Sequence, residues 1–210
     1  MSKKRRSYEA GHSPKFMVVI DDSPECDRAL YFASRRALRI GATVLMLRVI
    51  ETHDRNQQWL GVADIMRAEA HEEANAVLDR HAARASSITG VMPQRVIREG
   101  EKAQEVLNLI EDDEDIAILV LAAATGKEGP GPLVSSIGKT AGDFPIPVAI
   151  VPGHLSDEEL DARAKASPVS VPSADRGYRK LFYDTVTQAD KGVDFDFLRA
   201  AQMRGVTPRR

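Results

Sequence analysis

With 210 residues, the chain has room for one ordinary domain plus an appendage, or for two small domains. Its 43% hydrophobic and 29% charged content is that of a chain able to build a core, and 5% aromatics leaves Leu, Ile, Val and Ala to fill it. A formal charge of -2 excludes the strongly basic field by which a domain holds nucleic acid or anionic lipid non-specifically, and no window approaches the roughly 18 apolar residues of a membrane span.

The opening MSKKRRSYEAGHSPK carries the basic residues of a signal peptide without an apolar segment before a cleavage site, since the next hydrophobic run is the short FMVVI. Cys26, the single cysteine, has no partner for an internal disulfide. The reading is a reducing, cytoplasmic protein with no membrane and no nucleic-acid partner. Residues 1–14, including KKRR, are expected to be a solvated, disordered tail.

KFMVVID is a nearly continuous apolar run, the pattern of a strand buried on both faces. A helix is expected next, with Ser23 as N-cap and Pro24 in its first turn; Ala29, Leu30, Ala33, Ala37 and Leu38 then recur at helical spacing until Gly41. TVLMLRVIE reads as a second buried strand before the polar loop THDRNQQ. A long helix over residues 61–85 is expected to turn Ile65, Met66, Ala70, Ala74, Val77 and Leu78 inward. VMPQRVIREG is a more polar strand towards one sheet edge, and EKAQEVLNLIEDDED an amphipathic helix. Its acidic end opposes the helix dipole, so the helix stops by Asp112 and EDDED becomes a solvated loop.

IAILVLAAA, the most apolar run, is expected to be a central strand, and the loop GKEGPGP after it continues neither strand nor helix. LVSSIGKTAGDF reads as a helix and FPIPVAIVPG as a closing strand bounded by prolines. The class is therefore α/β: an open five-stranded parallel sheet with helices on both faces, Rossmann-like, over residues 15–153. Residues 154–210 change to a charged, proline-punctuated composition, read as a linker and polar C-terminal extension. Leu181, Phe182, Phe195, Phe197 and Leu198 suffice there for docking on a partner but not for a separate core.

With this alternation, VVIDDSPECDRALYFASRRALRIGATVLMLRVIE resembles the opening of a universal stress protein, and IREGEKAQEVLNLI and DIAILVLAAATGKEGPGPLVSSIGKTAGDFPIPVAIVP resemble its second half. The resemblance implies a homodimer, paired through the last strand VAIVP. For one group of the family it also implies ATP on a Gly-x-x-Gly, nine residues, Gly-Ser/Thr pattern. Laid on this chain, that pattern puts its glycines at Ala122, Thr125 and Ser135 and its hydroxyl at Ser136, so all three glycines are replaced. Glycines in a phosphate loop permit positive φ and close backbone approach, which Ala, Thr and Ser obstruct. Gly126, Gly129 and Gly131 lie in the same loop and offer a shifted anion nest. The resemblance also assigns Asp21 to the adenine, with helix capping as the alternative, and Val49 to a backbone contact with adenine, with simple core packing as the alternative.

Other motifs carry less. Lys127 lacks the ordered spacing of a Walker loop, and Cys26 lies in a first helical turn without a partner group. The histidines lack metal-ligand spacing, and no Ser-His-Asp arrangement is recognisable from order. No catalytic residue and no metal ligand is assigned. The expected function is that of a non-catalytic stress-response dimer with a degenerate nucleotide loop, whose cofactor is unknown and whose affinity for ATP is weak. A protein partner is expected at the C-terminal extension. The alternatives are an ATP-binding, slowly hydrolysing member using the shifted loop, and an ATP pyrophosphatase of related fold, for which DDSPE has no Ser-Gly-Gly segment.

Overall fold

A computed structural model describes residues 4–51, 60–127, 129–140 and 142–165. The loop THDRNQQ, Glu128 of the glycine loop and residues 166–210 of the expected extension lie outside the described residues.

The elements follow in chain order as β1 (Lys15–Val19), α1 (Cys26–Ile40), β2 (Thr43–Ile50), α2 (Leu60–Thr89), β3 (Gln94–Glu99), α3 (Lys102–Asp112), β4 (Ile116–Ala123), α4 (Pro132–Thr140), β5 (Val148–Pro152) and α5 (Asp157–Lys165). All five strands are parallel, in the order β3-β2-β1-β4-β5. Each connection crosses through a helix, as parallel neighbours require. β1 is the middle strand. The more apolar β4, expected to be a central strand, is flanked on both sides, by β1 and β5.

Strand pleating divides the core into two layers. Phe16, Val18 and Ile20 meet Leu30, Tyr31 and Leu78 of α1 and α2 on one face, while Met17 and Val19 meet Val106, Ile110 and Ile137 of α3 and α4 on the other. Met17 pairs with both Leu45 and Leu119 and is fully buried. Each such aliphatic side chain contributes about 1.5–3 kcal/mol on burial.

Several local expectations need correction. Ser23 does not cap α1, because its N–H and hydroxyl both donate to Oδ1 of Asp21, at 3.0 and 2.6 Å, in a tight turn. The cap position falls on Glu25 without a side-chain cap bond. At the other end Gly41 adopts φ 69°, the left-handed conformation that ends a helix without a Cβ clash. Leu38, expected inward, is 49% exposed. Ile65 and Met66 also stand in solvent, because the thirty residues of α2 outrun the sheet. At 1.5 Å per residue the helix is about 45 Å long, against roughly 26 Å for an eight-residue strand. Among the described side chains of α2, the first buried one is Ala74.

The basic arm and the acidic loop, both expected to be solvated, meet each other. Arg5 donates to the carbonyls of Ile110 and Asp113 at the end of α3. The Arg6 N–H reaches the carbonyl of Glu114 at 3.1 Å, His12 lies 2.6 Å from Asp115, and Lys15 bridges to Asp113 at 2.7 Å. The unsatisfied carbonyls and acidic side chains of a helix C-terminus attract cations, and the arm supplies them.

Past Gly153, where the sequence reads as linker, Leu155, Leu160 and Ala164 are buried, and the first two join the α1 core layer. A capping box starts α5: the Glu159 N–H donates to Ser156 Oγ at 3.2 Å, and the Ser156 N–H to the Glu159 carboxylate at 2.9 Å. Ion pairs fasten the helix down. Asp157 holds Arg28 at 2.5 Å and Arg84 at 3.2 Å, and Asp161 accepts from Tyr31 at 3.1 Å and Arg35 at 2.9 Å.

Candidate functional site

Strand order reverses across the β1/β4 boundary, and open α/β sheets bind ligands beyond the C-terminal strand ends near such a point. There the chain leaving β1 continues the ladder once more, the Ile20 N–H donating to Leu47 O at 2.8 Å, and then turns through Asp21 and Asp22. A cleft of about 230 Å³ opens between this turn, the end of β2, α2 and the start of α3.

Its electrostatics are acidic. Among the described residues, Asp21, Asp22, Glu51 and Glu73 line it, against two cations, Arg48 and Lys102. Both cations are engaged with carboxylates: Arg48 donates to Asp22 at 2.6 Å and to the carbonyl of Ile20 at 3.3 Å, and Lys102 lies 3.5 Å from Glu51. Val49 also lines the cleft but is itself buried, so its side chain belongs to the core.

Of the residues singled out from sequence, Asp21 and Val49 meet in this cleft. Ala122, Thr125, Gly126, Gly129, Gly131, Ser135 and Ser136 do not line it; they belong to the connection from β4 to α4, and β4 pairs with the other edge of β1. Ala122 is half-buried and paired with Val151, while Thr125 and Gly126 are exposed. Gly129 and Gly131 adopt φ 90° and 98°, the left-handed conformation of a nest. The loop spends part of its donors on itself, since the Gly129 N–H reaches Gly126 O at 3.3 Å and the Ala124 N–H reaches Pro130 O at 3.4 Å. Ser135 and Ser136 are exposed on α4, with the Ser135 N–H given to Gly131 O at 3.0 Å.

Sequence reading missed Arg48, Glu51, Glu73 and Lys102, which come from separate elements and share no spacing. It also missed Gly153. The Gly153 N–H donates to Ala123 O at 2.9 Å, and a Cβ there would stand 2.8 Å from that of Glu25, so a side chain would force apart β5 and the start of α1.

Burial pushes the Cys26 thiol up to about 12, and its sulfur lies 3.8 Å from Val19 O. It is a packing residue without thiolate character at neutral pH. Glu99 at the end of β3 is held below its usual pKa by a hydrogen bond from His71 at 2.6 Å and another from Arg67 at 2.8 Å. Among the described residues no three His, Cys, Asp or Glu are grouped to hold a metal ion. No described helix is long and apolar enough to cross a membrane.

Comparison with known proteins gives the following. Universal stress protein UspA from Lactobacillus plantarum superimposes with a TM-score of 0.57 at 15% identity, covering 66% of this chain and 97% of that one. A universal stress protein solved in complex with cAMP gives 0.50 at 16% identity, covering 66% and 96%. At these identities the likeness is one of fold. A 44-residue stretch is 54% identical to a putative dehydratase IlvD1 of Rhizobium meliloti, a match covering 21% of this chain and 8% of that protein. The model of the universal stress protein family matches residues 13–152. The sheet order, the cleft beyond its strand ends and this match across most of the described fold lead to one assignment: the chain belongs to the universal stress protein family.

Proposed function

We propose that the protein acts as a non-catalytic, cytoplasmic stress-response dimer whose nucleotide loop is degenerate. The carrying observation is the charge of the cleft: among the described residues, four carboxylates stand against two cations already paired to acids. A triphosphate entering there meets surplus negative charge. Outside the cleft, in the connection from β4 to α4, the replaced glycines at Ala122, Thr125 and Ser135 also remove the close backbone approach to phosphate on which a nucleotide loop depends. Calorimetry with Mg-ATP is expected to give no binding tighter than roughly 100 μM, about -5.5 kcal/mol.

The second reading, an ATP-binding and slowly hydrolysing member, draws on the left-handed Gly129 and Gly131 and on the cAMP held by a relative of the same fold. Submicromolar affinity that falls on Gly126→Ala or Gly129→Ala would establish it in place of the first.

Dimerisation is proposed through β5, which pairs with β4 alone among the described strands and offers an apolar, β-branched edge. Light scattering is expected to return twice the chain mass, and a strict monomer at micromolar concentration overturns that part. The C-terminal extension is proposed to add a surface for a protein partner.

A further inference from the structure

A groove of about 430 Å³ lies between the last turns of α1 and α5, lined by Arg35, Leu38, Arg39 and Ala164. Its floor is apolar and two arginines stand at its rim. Leu38 lies outside the buried stripe of α1, is not fully covered by any described residue, and is 49% exposed. Arg35 is paired with Asp161, and Arg39, paired with no acid among the described residues, gives one N–H to the carbonyl of Ala164 at 3.3 Å. The adjacent Arg36 is held below its usual pKa by burial first and by the charge of Arg39 second.

The chain continues from the wall of this groove, since Ala164 precedes Lys165, the last described residue. Three of the six phenylalanines lie beyond that point: Phe182, Phe195 and Phe197. Phe182 follows Arg176, Arg179 and Lys180, cations that a rim of arginines repels. Phe195 and Phe197 alternate instead with Asp194 and Asp196 and are followed by Leu198. Acid interleaved with aromatic is the complement of an apolar floor under arginines, where aromatic burial combines with charge-assisted bonds from guanidinium.

We propose that residues 193–198, Val-Asp-Phe-Asp-Phe-Leu, dock intramolecularly in the α1/α5 groove. The length of chain between Lys165 and Val193 suffices: a flexible linker of that length spans about 30 Å end to end and would present a tethered segment at roughly millimolar effective concentration. This goes beyond the stress-protein reading, because it gives the extension a resting place on its own domain that a partner would have to compete for.

The test uses the full chain and a fluorescein-labelled peptide of residues 189–200, followed by anisotropy. Phe195→Ala/Phe197→Ala is expected to free the groove, so that the peptide binds this variant at least tenfold more tightly than it binds the wild type. Adding Leu38→Glu, or separately Arg39→Glu, to that variant is expected to lower the affinity at least tenfold again; both sites are on the surface, so folding is retained. Equal binding to wild type and variant, or no binding to the variant at millimolar protein, overturns the proposal. A drop in mass by light scattering on Phe195→Ala/Phe197→Ala also overturns it, by placing the segment in the groove of a second copy.

Discussion

The two ends of the sheet each carry a cluster of acid, and the protein treats them differently. At the end where β1 and β4 begin, Asp113, Glu114 and Asp115 are met by Lys15, Arg6 and His12, while Arg5 takes up carbonyls of α3. At the opposite end Asp21, Asp22, Glu51 and Glu73 share the cleft, among the described residues, with the cations Arg48 and Lys102. The paired cluster joins segments about a hundred residues apart, so its consequence is stability. The second cluster, in which Asp22 and Glu51 are paired, lines an open cleft, where its proposed consequence is selection among ligands. Like-signed residues contribute to fold or to function according to whether tertiary contacts neutralise them.

The largest expected effect breaks the paired end. Arg5→Ala removes charge-assisted hydrogen bonds to two carbonyls and is expected to cost about 2–3 kcal/mol, a fall in melting temperature of several degrees. Nucleotide affinity, measured on the same sample, is expected to stay unchanged; a linked change would mean that the two ends are coupled.

The next effect works on the open end. Glu51→Gln/Glu73→Gln halves the carboxylates of the cleft and is expected to raise affinity for AMP or Mg-ATP about tenfold, roughly 1.4 kcal/mol. Calorimetry at two ionic strengths checks this, since part of the gain must fade in salt. Stability is expected to move by less than about 0.5 kcal/mol, as for other surface substitutions.

The smallest effect belongs to Glu99, beside the overhanging part of α2. Its pKa is depressed by His71 first and Arg67 second, so its stabilising contribution is present above the usual value of 4.5 and is lost as pH falls through the depressed folded value. Chemical denaturation of wild type and Glu99→Gln across that window is expected to converge at the acid end, with a difference of under about 1 kcal/mol at neutral pH.

Sequence alone determined the strands and most helix spans, because a strand buried on both faces must be continuously apolar and a helix must repeat every 3.6 residues. KFMVV and TVLMLRVI could be read as they stand, as could the end of α3 at Asp112. The start of α5 went unread: Ser156 and Glu159 form a capping box, but the charged, proline-punctuated composition around them reads as linker. The glycine loop was found by resemblance, yet its donors depend on φ and on bonds such as that from Gly129 to Gly126. Tertiary structure decided the rest. Arg48, Glu51, Glu73 and Lys102 become a site only when β2, α2 and α3 converge, and Arg5 becomes a helix cap only when the arm folds back across the sheet. A charged side chain has the same local signature whether it is solvated, paired or lining a cleft. Only the position of its partners distinguishes the three, and sequence spacing does not encode distance between separate elements.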